Sequence, residues 1–440
     1  MSLGPPLPSD PPLTSAETKR LHDDDVVPGL PPSENKRFYP ALDGLRAIAV
    51  LMVFYEHYLG RLPSLNWGWA GVDFFFVLSG FLITGILFDT RNSAHRFRNF
   101  YVRRTLRIFP LYYGVLLLAV LFTPVFHWIW HPAFLLWPLY LGNYARFFWL
   151  HDWLHNSVVV DQLHLGATLP YPFFALNINH FWSLCIEEQF YLLWPLGVFL
   201  IKDRRRLRNL CLVICGLTLA LRIVCFLLLP KAYLDASILY RLTPFRADAL
   251  LLGGALALMI RGPEAPSLVA RVRPLFWIFV TGFIFFEAFY VAKLHHLYHP
   301  DGTGGGMSTV GFTLIDIFAA IVILLSLDPH GLIYRLFTLR WLRRLGEVSY
   351  GFYVFHDIPH NFYTALCTYL LRHFTHVKPD AAYLYIAALA LLCTLALSFL
   401  SFRYFEAPFL RLKDRFTVRD PITVRTQPLF SNATSESPGA

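Results

Sequence analysis

The stretch "ALDGLRAIAVLMVFYEHYLG", residues 41–60, reads as a helix made for lipid, yet it carries Arg46, Glu56 and His57. At ~1.5 Å per residue, a run of about 18–20 residues crosses a ~30 Å hydrocarbon layer. Arg46 and His57 are 11 residues apart. At about 100° per residue that is about 20° past three full turns, so both lie on one helical face, ~16 Å apart along the axis. A charge inside a span is costly, which makes each such residue a functional candidate. The plainer alternative is an interfacial pair, each side chain snorkelling to its own surface.

The rest of the chain continues the pattern. Of 440 residues, 56% are hydrophobic and 17% aromatic, and the mean hydropathy is +0.47; a soluble domain is about 45–50% apolar. Apolar runs predict spans at 41–59, 68–88, 109–126, 180–201, 209–229, 244–260, 275–292, 309–327, 348–371 and 382–404. The expected fold class is therefore all-α: a polytopic integral membrane helix bundle of about ten transmembrane helices. The loops on one side hold 18 lysines and arginines against 7 on the other, which puts both termini in the cytoplasm. The run at 133–150 is read as re-entrant or interfacial, because an eleventh crossing would carry "KDRRRLR" (202–208) outside. Residues 1–36 are polar and proline-rich, without the apolar core of a signal peptide, and read as a disordered cytoplasmic tail. Residues 37–412 form the membrane domain and 413–440 a second cytoplasmic tail. No internal repeat of the transporter kind is visible.

The net charge of +9 is explained by the cytoplasmic loops and implies no nucleic-acid partner. The six cysteines, Cys185, Cys211, Cys215, Cys225, Cys367 and Cys393, all fall in apolar runs. They read as small buried residues, with neither a disulfide framework nor a metal site.

Several further spans carry polar groups. The second span holds Asp73, Ser79 and Gly80; without a G-x-S-x-G elbow, Ser79-Gly80 reads first as a close helix–helix contact. In the fourth, His180, Ser183, Glu187, Tyr191 and Trp194 form one stripe that should face the bundle interior. Glu187 is expected about two turns below the outer surface, near the depth of His57, with Glu188 on a neighbouring face. Arg104 and Arg107, one turn apart at a helix start, suit a phosphate-bearing ligand and equally fit ordinary cytoplasmic charge. His356, in "SYGFYVFHDIPH" (349–360), fits either a structural histidine or a second base.

Six blocks occur in order: "LDGLRAIAVLMVFYEH", "GWAGVDFFFVLSGFLIT", "RRTLRIFPLYY", "FWSLCIEEQFYLLWP", "SYGFYVFH" and "FRYFEAPF". Over residues 37–412 the chain resembles the membrane-bound acyltransferase-3 family, which O-acylates polysaccharides, lipopolysaccharide, peptidoglycan, Nod factors and macrolides. The resemblance carries the family's Arg-x10-His pair onto Arg46 and His57, and its R-x-x-R motif onto Arg104 and Arg107. Its SGF block falls on Ser79, Gly80 and Phe81. Its W-S-L-x-x-E block falls on Trp182, Ser183, Leu184 and Glu187, and its closing residues on Arg403, Glu406 and Pro408. It implies a multi-pass protein of the bacterial cytoplasmic membrane, with the lipid bilayer, acyl-coenzyme A and a saccharide or glycolipid acceptor as partners. It implies no permanently bound cofactor; acyl-coenzyme A, most commonly acetyl-coenzyme A, is a co-substrate. Because the chain runs only a short way past its last expected span, an appended SGNH-type esterase domain is not expected.

The resulting expectation is concrete. Arg46, Arg104 and Arg107 bind the donor's charged end, His57 acts as general base, and Glu187 orients the imidazole. Asp73, Ser79, Trp182, Ser183, His356 and Glu406 support the site. A transporter or flippase of a lipid-linked glycan, or a sensor that binds coenzyme A thioesters without turnover, are the competing classes.

Overall fold

A computed structural model describes residues 39–60, 67–126, 130, 132–148, 177–230, 234, 237–294, 306–363, 366, 369 and 379–418. Among the described residues all regular structure is helical. The principal helices are α1 (Pro40–Leu59), α2 (Gly71–Asp89), α3 (Arg96–Phe126), α4 (Trp182–Leu200), α5 (Arg204–Leu228), α6 (Ala247–Met259), α7 (Ala265–Leu294), α8 (Phe312–Leu325), α9 (Leu332–Phe337), α10 (Arg340–Glu347), α11 (Ser349–Phe355), α12 (Pro379–Ser401) and α13 (Ala407–Phe416). Among the described residues six stretches are long and apolar enough to cross a membrane: Gly68–Asp89, Arg96–Val125, Arg204–Leu228, Ser267–Phe289, Met307–Leu325 and Leu384–Phe416. The molecule is a polytopic helical membrane bundle.

Burial separates the inner helices from the lipid-facing ones. The apolar window of α2 is 78% buried, whereas that of α7 is 11% buried. An apolar surface left open in a protein of this kind is covered by lipid rather than water. So α2 forms the centre, packed by α1, α4, α6 and α8, while α5 and α7 form the rim. Glycines set the closest approaches. A Cβ at Gly80 would collide with the Leu250 carbonyl on α6, and one at Gly253 with the Val77 carbonyl on α2. At the N-terminal end of α1, Gly44 meets the Phe337 carbonyl and Gly346 that of Asp43, which seats the α9–α10 hairpin against α1. This is the small-residue packing on which membrane helices depend.

Two expected spans differ from their sequence reading. The segment 244–260 is a 13-residue helix, α6, only ~20 Å long. Its sequence is apolar because it is buried among other helices. The segment 348–371 begins as α11 but breaks into a turn over residues 356–359. Pro359 disfavours helix at the residue before it, so the chain opens at His356 and Asp357. Much of 364–378 lies outside the described residues, as do Cys367, the expected N-terminal tail and residues 419–440 of the expected C-terminal tail. Of the other cysteines, Cys185 and Cys211 are buried and Cys215, Cys225 and Cys393 are partly so, all as free thiols.

Residues 132–148 form two 3₁₀ turns and a four-residue helix rather than a span. Protein donors satisfy the irregular backbone: the Tyr112 and Tyr113 hydroxyls donate to the carbonyls of Trp137 and Pro138, both at 2.8 Å. Gln189 Nε2 donates to that of Tyr140 at 2.7 Å. Non-helical backbone survives at membrane depth only when buried in protein like this.

Candidate active site

A cavity of about 100 Å³ runs along the inner face of α2. Arg46, Arg104 and Arg107 line one end. Ser79, Glu187, Glu188, Tyr191 and Tyr350 line the middle, and Val72, Phe75, Phe76, Ser183, Leu184 and Tyr353 the other end. On α2 the lining runs from Ile83 to Val72, a rise of ~16 Å. The helical stripe of α4 supplies one wall. Its opposite face, Leu192, Leu193, Leu196 and Leu200, is exposed and lipid-facing. Within the stripe, Trp194 Nε1 donates to Thr84 Oγ1 at 2.8 Å.

The arginines from α1 and α3 converge as their sequence positions suggested. Arg46 Nη1 pairs with Asp43 Oδ1 at 3.1 Å. The Arg104 guanidinium lies 5.2 Å from the Tyr191 ring centre and close to Glu187 and Glu188. Arg107 has Asp43 and Glu406 as neighbouring carboxylates. Glu406 ends a π-helical turn, Phe402–Glu406, that turns its side chain inward, where it accepts from Ser401 Oγ at 3.0 Å. Arg403, in the same turn, stays outside this cluster, with its guanidinium 5.5 Å from the Tyr404 ring.

Glu187 does not stand beside His57. It lies within hydrogen-bond reach of Ser79 and Tyr191, whose hydroxyls bond to each other. Its level on α4 is the middle of the cavity. The carboxylate beside His57 is Asp357: its Oδ1 lies 3.1 Å from His57 Nδ1. Its Oδ2 accepts from Asn177 Nδ2 at 2.7 Å and lies 3.6 Å from His180 Nδ1. The His57 side chain is 28% exposed against 6% for Asp357, so the pair is reached through the histidine. His356 is buried, with Nδ1 2.6 Å from the Tyr353 carbonyl. Its ring centre is 4.8 Å from those of His57 and His180, so it packs the cluster without meeting Asp357 at hydrogen-bond distance.

Between cavity and histidines stands Tyr353. Its hydroxyl donates to the His180 carbonyl at 2.8 Å and lies 2.5 Å from Ser183 Oγ. Trp182 packs 4.7 Å from Tyr240, with the Arg241 guanidinium 5.8 Å from its ring. Arg241 Nη1 donates to Asn179 Oδ1 at 2.9 Å.

Asp73 belongs to a separate network. It pairs with Arg246, both fully buried, while Arg222 Nη2 pairs with Asp248 Oδ2 at 2.5 Å and bonds to Thr313. Asp316 is buried against the same group. Its place behind Phe76 and Phe312, on which Arg246 rests, makes it a brace between α2, α5, α6 and α8.

Sequence reasoning passed over Asp357, Tyr353 and this brace. The signal was present: Arg222, Asp248, Asp316 and Asp357 are isolated charges in apolar runs, the criterion that singled out Arg46 and His57. Among the described residues no group of histidine, cysteine or acidic side chains is arranged to hold a metal ion.

A family model described as an acyltransferase domain matches residues 39–403. The chain is 31% identical over 397 residues to the peptidoglycan O-acetyltransferase OatA of Listeria monocytogenes, covering 85% of this chain and 56% of that protein. It is 32% identical over 340 residues to the putative peptidoglycan O-acetyltransferase YrhL of Bacillus subtilis, covering 74% and 49%. It is 28% identical over 380 residues to the O-acetyltransferase OatA of Staphylococcus aureus, covering 84% and 57%. The chain thus spans about half the length of these relatives, and no solved structure matches it significantly. The matched region begins one residue before α1 and takes in the arginine-ended cavity, Tyr353 and the His57–Asp357 pair, and by that match the chain belongs to the acyltransferase-3 family.

Proposed function

We propose that this protein is a membrane-embedded O-acyltransferase. It moves an acyl group, acetyl by analogy with the O-acetyltransferases it resembles, from cytoplasmic acyl-coenzyme A to a hydroxyl of a saccharide at the outer face. The observation that carries this reading is the cavity itself, with three arginines at one end and a His–Asp pair just beyond the other.

Each residue then has a task. Arg46, Arg104 and Arg107 hold the donor's phosphates by charge-assisted hydrogen bonds. The thin pantetheine arm lies along Ser79, Glu187 and Tyr191, whose hydroxyls and carboxylate match its amides. Glu187 thereby serves the donor rather than the imidazole. Asp357 accepts from His57 Nδ1–H, leaving the Nε2 lone pair free as a base. As the acceptor oxygen attacks the thioester carbonyl, Nε2 takes its proton. The tetrahedral intermediate then collapses, the C–S bond breaks, and the thiolate leaves with the proton from the imidazolium. A cavity lined by three arginines at one end and apolar side chains at the other suits a phosphate-bearing thioester, which favours transfer over transport.

The test is turnover in proteoliposomes with radiolabelled acetyl-coenzyme A inside and a soluble oligosaccharide outside. Equal yields of free coenzyme A and alkali-labile saccharide ester are expected. Vectorial uptake of a lipid-linked glycan without ester formation would sink the reading.

A further inference from the structure

The cavity is graded in chemistry along its length. It begins at three guanidiniums, passes hydroxyls and carboxyls, and ends among Val72, Phe75, Phe76 and Leu184. The apolar end suits an acyl group, and it is shut. Tyr353 closes it, with its phenol held between Ser183 Oγ and the His180 carbonyl. The ring packs 6.1 Å from Phe75 on the cavity side and 5.4 and 5.5 Å from His356 and His180 on the other. Tyr353 is 6% exposed, whereas the His57 side chain behind it is 28% exposed. The Tyr353 ring, backed by the buried His356 whose ring centre lies 4.8 Å from that of His57, therefore separates the place where a thioester would end from the partly exposed His57.

We propose that Tyr353 is the acyl-selecting gate of this cavity. Shut, its ring stops the donor at a short acyl group and keeps water from the thioester. Open, it lets the carbonyl meet an acceptor hydroxyl held at His57. Opening begins with rotation of the Tyr353 ring away from His356 and release of its two hydroxyl contacts, and both partners remain satisfied: Ser183 Oγ also bonds the His180 carbonyl, at 3.3 Å. The inference rests on the acyl-coenzyme A reading given above. It adds that chain-length choice is set at the end of the cavity that Tyr353 closes, and that protection from hydrolysis resides in that ring, outside the His57–Asp357 pair.

The test uses the full-length protein in nanodiscs, as wild type, Tyr353→Ala, Tyr353→Phe and Val72→Ala. Calorimetric binding of acetyl-coenzyme A comes first, and acetyl-, butyryl- and hexanoyl-coenzyme A are then compared for transfer and for hydrolysis without acceptor. The gate predicts that Tyr353→Ala raises the butyryl-to-acetyl ratio of kcat/KM at least tenfold and releases coenzyme A without acceptor. Tyr353→Phe keeps the ring and loses the lock, so its chain-length ratio stays while hydrolysis rises. Val72→Ala, at the same end, shifts the ratio in the same direction. If Tyr353→Ala binds donor normally yet keeps the wild-type ratio and does not hydrolyse it, the proposal is overturned. Should Tyr353→Ala fail to fold, an unchanged hydrolysis rate in Tyr353→Phe together with an unchanged ratio in Val72→Ala overturns it equally. Failure of the wild type to bind acetyl-coenzyme A would instead strike the donor reading.

Discussion

Asp357→Asn is the sharpest perturbation of the proposed base. Asn177 Nδ2 donates to Asp357 Oδ2 at 2.7 Å, so in the variant the amide oxygen will be held on the Asn177 side. The amide NH₂ must then face His57 Nδ1, 3.1 Å away in the native pair. Nδ1 becomes an acceptor, the ring proton moves to Nε2, and the base is lost at the atom that needs it. Loss of the charged hydrogen bond alone is worth about 1.5–3 kcal/mol, or ~10–150-fold at about 1.36 kcal/mol per decade. Reversal of the tautomer adds to this; the same exchange in the serine-protease triad lowers kcat by about 10⁴. We therefore expect kcat to fall about 10²–10⁴-fold. Asp357 does not line the cavity, so the dissociation constant for acetyl-coenzyme A should stay within about twofold. The assay is single-turnover transfer in nanodiscs with donor affinity measured in parallel. A kcat within tenfold of wild type, or a loss that lies wholly in donor affinity, would refute the reasoning. Glu187→Gln is the control: it should weaken donor binding more than it slows chemistry.

Three further outcomes follow from the same geometry. Arg104→Ala and Arg107→Ala should each weaken acetyl-coenzyme A binding by about 1.5–3 kcal/mol, with a loss that shrinks as salt is raised; unchanged calorimetric affinity in both would leave them as topology signals. Gly80→Ala drives a methyl into the Leu250 carbonyl and should cost about 1–3 kcal/mol of stability; an unaltered thermal unfolding midpoint in detergent would show that α2 and α6 can part freely. For the proposed ten-span topology with cytoplasmic termini, Arg205→Cys should react with an impermeant maleimide only after cell permeabilisation, and Ala292→Cys in intact cells; the reverse pattern inverts the orientation.

How far the sequence was legible depended on what kind of signal each element carried. The apolar runs of α2, α3, α5, α7, α8 and α12 announce membrane helices directly, because lipid demands apolar side chains all round. A fully buried helix makes the same demand, so composition did not show where the helix within 244–260 begins and ends. Its 13 residues were read as a longer crossing for that reason. The convergence of Arg46, Arg104 and Arg107 was readable because each sits at the same end of its own helix. The partner of His57 was not. A count of helical depth along α4 brought Glu187 near His57 on paper, whereas its hydroxyl neighbours are Ser79 and Tyr191. The true neighbour, Asp357, lies where α11 breaks ahead of Pro359, and a break brings residues to a level that no helical count can give. The Arg222, Arg246, Asp73, Asp248 and Asp316 brace shows a related limit. Isolated charges in apolar runs can be recognised singly, but their pairing is a property of tertiary packing.

The central claim is that one cavity leads a coenzyme A thioester from the arginine cluster toward His57. A cryo-electron microscopy structure with a non-transferable thioether analogue of acetyl-coenzyme A tests it most directly. The account predicts phosphate oxygens within hydrogen-bond distance of Arg104 and Arg107, the pantetheine arm along Ser79 and Glu187, and the acyl carbonyl against Tyr353. Analogue density at the outer face, or anywhere that leaves the cavity lined by Ser79, Glu187 and Tyr353 empty, would contradict it.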